Sequence, residues 1–133
     1  TYQILTKRPK RVRQLSSQLA WPDNVWMGVT IEDQATAWRA DVLREVPAEV
    51  RWISAEPLLG PLPDLDLADM DWLVAGGESG PGFRPVEAAW IRDLRDRCVA
   101  EQVAFFFKQW GGVRPKTGGR LLDGRTWDEW PAA

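Results

Sequence analysis

The 133 residues carry 17 basic and 19 acidic side chains, a net charge of −2 and 44% hydrophobic content, which fits one soluble domain with a sizeable core and argues against disorder. The absence of histidine and the single cysteine, Cys98, exclude an internal disulfide, a histidine-based hydrolase triad and a conventional zinc centre. Any chemistry must draw on carboxylates, Lys, Arg, hydroxyls or a borrowed cofactor. No run approaches the ~18 apolar residues of a membrane span, and no secretory signal is visible, so a cytoplasmic location without membrane contact is expected.

In chain order, Tyr2-Gln3-Ile4-Leu5-Thr6 reads as a strand that ends in Lys7-Arg8-Pro9. Pro9 opens a basic helix with Val12, Leu15 and Leu19 at helical spacing. A loop at Trp21-Pro22-Asp23-Asn24 delivers a second strand, Val25-Trp26-Met27-Gly28-Val29-Thr30. Asp33 is a plausible N-cap for a helix through about Arg44, with Ala35, Trp38 and Val42 as its buried stripe. Val50-Arg51-Trp52-Ile53-Ser54 is the third strand, and the Pro- and Asp-rich residues 58–71 form a loop with at most one helical turn. Trp72-Leu73-Val74-Ala75 is a buried strand that runs into the glycine-rich turn Gly76-Gly77-Glu78-Ser79-Gly80-Pro81-Gly82. A helix follows from about Pro85 to Glu101, with Val86, Trp90, Ile91, Leu94 and Cys98 on one face, which makes Cys98 a small core residue. Val103-Ala104-Phe105-Phe106-Phe107 is the fifth strand. Residues 112–133 then change character, with Asp123-Gly124 between short apolar flanks predicting a terminal hairpin that covers a sheet edge.

Strands alternating with helices predict a single α/β domain over residues 1–133, with a mostly parallel sheet of about five strands. Polar residues follow each strand: Lys7 and Arg8; Glu32 and Asp33; Ser54 and Glu56; Glu78 and Ser79; Lys108 and Gln109. Parallel strands place these ends on one rim, where α/β proteins hold ligands. Lys7, Arg8 and Lys108 suit phosphate or carboxylate, whereas Glu56 and Glu78 suit a cation or a hydroxyl. The turn containing Gly76 and Gly77 has the wrong spacing for a dinucleotide fingerprint. Its backbone N–H groups could hold an anion, while Glu78 favours a cationic or hydroxylated group. Nine tryptophans outnumber four Phe and one Tyr together, a composition suited to half-buried seams and interfaces. Residues 1–20 hold Lys7, Arg8, Lys10, Arg11 and Arg13 with no acid, so a non-enzymatic module that meets nucleic acid or protein through this helix and exposed Trp is the rival reading.

Six stretches come in an ordered set: Thr6-Lys7-Arg8-Pro9; Val25 to Asp33; Ser54-Ala55-Glu56-Pro57-Leu58-Leu59-Gly60; Gly76-Gly77-Glu78-Ser79-Gly80; Phe106-Phe107-Lys108-Gln109-Trp110-Gly111; and Leu121-Leu122-Asp123-Gly124-Arg125. With these, nearly the whole chain resembles the C-terminal part of the phage Gp-thirty-seven/Gp-sixty-eight family, a radical-SAM-like group. The resemblance implies the second half of a partial (β/α) barrel, joined in a longer protein to an upstream cysteine motif. It also implies a [4Fe–4S] cluster and S-adenosylmethionine as cofactors of that longer protein, with none held by this chain and no radical activity expected from it alone. Gly76-Gly77-Glu78 is similar to the motif that holds the methionyl amine in such enzymes, although it follows a late strand here. The expected partners are a missing N-terminal half, or a second copy through an open sheet edge.

Overall fold

The structure, a computed structural model, describes residues 1–132. Five strands, β1 (Tyr2–Thr6), β2 (Val25–Thr30), β3 (Val50–Ala55), β4 (Trp72–Ala75) and β5 (Ala104–Phe107), form one sheet in the order β1-β2-β3-β4-β5. Every neighbouring pair is parallel. Three helices intervene: α1 (Pro9–Leu15), α2 (Trp38–Leu43) and α3 (Ala88–Glu101). Sequential strand order with crossovers between neighbours is the arrangement of half a (β/α) barrel.

Period-2 alternation divides the sheet into two unlike faces. Met27, Val29, Ile31, Ile53, Ala55, Leu73, Ala75, Phe105 and Phe107 point one way and pack with Ala40 and Leu43 of α2 and Ile91, Leu94 and Cys98 of α3. The other face carries Trp26, Val50, Trp52, Trp72 and Val74, with Ala104 and Phe106 against them, and no helix lies over it. The register on that face sets Gly28 opposite Trp52, and Trp72 between Trp52 and Ala104. A Cβ at Gly28 would strike the Trp52 indole, so glycine is what lets this ring lie flat on β2.

The α2 stripe differs from the expected one. A 3-10 turn over Gln34–Thr36 precedes α2, which shifts the helical phase. Ala37, Ala40, Val42 and Leu43 are buried, whereas Ala35 is exposed and Trp38 is 42% exposed beneath the Lys10 ammonium. Asp33 has extended backbone at the N-cap position but makes no capping hydrogen bond with its side chain. The last helix begins at Ala88, three residues beyond Pro85, and ends with Gln102 in the left-handed conformation.

The connection from β3 to β4 contains no helix, in keeping with its composition. Its Leu58, Leu62, Leu65, Leu67 and Met70 are all buried and fill the core where a crossover helix would otherwise pack. Arg97 of α3 donates to the carbonyls of Leu62 and Leu65, and Arg44 donates to those of Asp66 and Ala68, so side chains satisfy this loop's backbone.

The two sheet edges are unlike. Along β5, Phe107 N–H donates to Trp127 O at 2.8 Å and Glu129 N–H donates to Phe105 O at 3.1 Å, an antiparallel cover centred on Phe106 and Asp128. The preceding hairpin turns at Asp123-Gly124, both with positive φ, and closes through Leu122 and Arg125. Asp123 also receives Arg92 and Arg95 from α3, which fastens the hairpin to the helix layer. At the opposite edge, β1 has no outer neighbour among the described residues, and Tyr2, Ile4 and Leu5 are exposed.

Candidate functional site

Register carries the rim residues to the same end of the sheet. Ala55, Ala75 and Phe107 align across β3, β4 and β5, so Glu56, Gly76 and Lys108 follow as the next row. Lys108 Nζ lies 2.9 Å from Glu56 Oε2, spanning the intervening strand. Gln109 Nε2 donates to Glu56 Oε1 at 3.1 Å and to Gly77 O at 2.9 Å. A Cβ at Gly76 would come within 3.0 Å of the Gln109 amide and 3.3 Å of Glu56 Cγ and Cδ, so the bare glycine makes room for this junction. Gly77 has a different reason. Its Cβ would strike the Trp110 carbonyl, because the loops after β4 and β5 run in contact there.

Residues far apart in sequence thus meet as a carboxylate, an ammonium and an amide, with the buried Ser54 one step down the same face. A partly exposed ion pair of this kind adds only about 0–1 kcal/mol to stability. Its consequence is chemical: one anionic and one cationic group are presented side by side at a cavity mouth.

The cavity is about 480 Å³ and lies on the helix-free face. Glu56, Ser54 and Lys108 line its polar end, and Trp52, Trp72, Phe106 and Trp130 line its floor. Trp72 stacks on Trp130 with ring centroids 4.7 Å apart and sits 5.3 Å from Trp52. The Trp72 indole N–H donates to Glu129 O at 2.9 Å, which holds the C-terminal segment over the aromatic cluster. Apolar walls with a few convergent polar groups, at this volume, are the usual make-up of a small-molecule pocket. Sequence reasoning marked the polar rim but missed the aromatic floor. The signal was present in Trp52, Ser54 and Glu56 at alternate positions, and again in Phe106 and Lys108, which period 2 places on one face.

Other rim residues form separate pairs. Lys7 lies 3.6 Å from Glu32 Oε1 at the end of β1 and β2. Glu78 turns to Arg84: its Oε1 accepts from the Arg84 backbone N–H at 2.9 Å and its Oε2 from Nη2 at 2.7 Å. The Arg84 side-chain bonds, followed by that backbone bond, hold the Glu78 carboxyl below its ordinary value. Ser79 is exposed and bridges to Gly112 through the backbone, and Arg8 stands exposed beside Lys10 and Arg11 on α1. None of Lys7, Arg8, Glu32, Glu78 and Ser79 lines the aromatic cavity.

The two cofactors implied by the resemblance do not fit these residues. A [4Fe–4S] cluster takes cysteine thiolates. Cys98 is the lone cysteine, fully buried on α3, and burial pushes its thiol up to about 12. Among the described residues no three His, Cys, Asp or Glu side chains come together as a metal site. The methionyl amine of S-adenosylmethionine would need a free carboxylate at Glu78, which is bonded to Arg84 instead. No helix among the described residues is long and apolar enough to cross a membrane.

Fold and site together define a parallel α/β half-barrel domain with a polar and aromatic cavity at the carboxyl ends of its strands. Residues 1–131 match the family described as protein of unknown function (DUF5131), and the chain belongs to that family. No curated protein and no solved structure matches the chain.

Proposed function

We propose that the chain is the substrate-binding part of a (β/α)-type enzyme, which holds a small planar molecule against the helix-free face. The observation that carries this reading is the meeting of Glu56, after β3, with Lys108 and Gln109, after β5, beside an aromatic cavity that Glu56 and Lys108 line. Preorganised charges beside an aromatic floor are what orient a substrate in such sites. Within this reading Lys108 engages an anionic or carbonyl oxygen, Glu56 an amine or hydroxyl, and Gln109 holds Glu56 in place.

The radical-SAM-like class is a finer reading supported by motif resemblance. The cluster and S-adenosylmethionine would be held by residues outside this chain, and the reaction they perform is theirs. The coding sequence upstream of Thr1 tests it: a cysteine triplet there supports the class, and its absence removes it. The rival, a nucleic-acid module on α1, has less support, since Arg13 is paired with Glu45, Lys7 with Glu32, and Lys10 rests on Trp38.

The binding reading is tested with benzoate and benzamidine, two planar probes of opposite charge, followed by ¹H–¹⁵N NMR of the indole N–H groups. Signals of Trp52, Trp72 and Trp130 are expected to shift. Lys108→Gln is expected to weaken benzoate several-fold and Glu56→Gln to weaken benzamidine. Shifts confined to Trp38 or Trp21, or none at all, would overturn the assignment.

A further inference from the structure

A second cavity, of about 600 Å³, adjoins the first. It is lined by Phe106 of β5 and by Lys108, Gln109, Lys116 and Arg120 of the segment that follows. Phe106 and Lys108 belong to both walls, so the two cavities are neighbours across one aromatic ring and one ammonium. Both are mainly apolar, and they differ in the groups that line them. The first has the tryptophan floor, and the second gathers cations.

The state of those cations matters. Lys108 is shared with Glu56, and Arg120 is paired through Nη2 with Asp128 while its guanidinium lies over the Phe106 ring. The Arg120 side chain is partly exposed, and Lys116 is exposed without an ion pair among the described residues. Three positive groups face two carboxylates, Glu56 and Asp128, leaving one charge unanswered. A tetrahedral dianion answers it, since its several oxygens can meet the Lys116 ammonium and the exposed part of the Arg120 guanidinium at once.

We propose that the joined cavities take a nucleoside monophosphate unit. The planar base lies against Trp52, Trp130 and Phe106, and the phosphate meets Lys116 and Arg120, with Lys108 at the boundary. Every nucleobase has a face that stacks on aromatic side chains, so the floor supplies binding without fixing which base is held. Specificity for the class comes from the fixed offset between an aromatic cluster and a cationic one. This inference rests on the helix-free face being a ligand site and goes further in naming the ligand.

Calorimetric titration of the chain with adenosine 5′-monophosphate, adenosine and inorganic phosphate tests it. The monophosphate is expected to bind at least tenfold more tightly than either adenosine or phosphate. Lys116→Gln, an exposed substitution that leaves the core untouched, is expected to bring the monophosphate close to adenosine while adenosine itself is unchanged. Trp130→Ala is expected to weaken both nucleoside ligands. The source of the unit is separated by a single-stranded octanucleotide: tighter binding than the mononucleotide assigns a nucleic-acid strand, and equal or weaker binding assigns a free nucleotide. Equal affinity for monophosphate and adenosine, or no effect of Lys116→Gln, overturns the phosphate assignment. In that case shifts at Trp52 and Trp130 with benzoate or benzamidine would leave the ligand-site reading standing. Loss of all of them would remove both.

Discussion

A few single residues decide how the helix-free face is built. Trp52 can lie flat on β2 only because position 28 has no side chain. Gly28→Ala is therefore expected to lower stability by about 1–3 kcal/mol, the usual cost of forcing extra volume into a packed site. Urea unfolding would register the loss, and unchanged stability would mean that the indole can move aside freely. Gly76 and Gly77 illustrate two further uses of glycine that sequence alone could not separate. One makes room for Glu56 and Gln109, and the other for the Trp110 carbonyl. Both uses read in sequence as the same turn signal. The carboxylate that follows was equally ambiguous, because Arg84 was not visible as its partner until the loop was folded.

Among the elements, all five strands were legible, since short apolar runs ending in polar and glycine residues leave little choice of structure. The phase of α2 was not. Its 3-10 entry moves the buried positions to Ala37, Ala40 and Leu43, and nothing in the residue types of Gln34-Ala35-Thr36 announces that turn. The leucines of residues 58–71 looked like loop residues because Pro and Asp separate them, yet they form part of the core. The terminal hairpin was signalled by Asp123-Gly124, but its attachment was not. Arg95 first, and then Arg92, hold the Asp123 carboxyl below its ordinary value of 3.8. A depressed carboxylate contributes stability that is present above the unfolded value and lost as pH falls through the folded one. Acidification below about pH 4 is therefore expected to loosen the hairpin before the sheet. Amide exchange along residues 122–129 should accelerate first, and Asp123→Asn should remove that acid dependence. Uniform loss of protection across the sheet would contradict this order.

At the level of the molecule, the sequence exposed one half of the site and hid the other. Polar residues after strands announce themselves, but a tryptophan that lines a cavity looks like one that fills a core until the absence of a helix over it is seen. The edges carry a further expectation. The unpaired β1, with Ile4 and Leu5 exposed, is open to strand addition by a second copy. Sedimentation velocity is expected to reveal concentration-dependent association that Ile4→Lys abolishes; a wild-type monomer at every concentration would refute it. The C-terminal segment then decides how far such association can go. Because residues 127–129 occupy the outer side of β5, the described residues offer one pairing edge, a valence of one. Two copies can join β1 to β1 about a two-fold axis, and each has then used the edge that its described residues leave open. A head-to-tail chain, which would need β1 of one copy on β5 of the next, has nowhere to start. Truncation after Arg125 would raise the valence to two and convert a dimer that terminates into a fibre that does not.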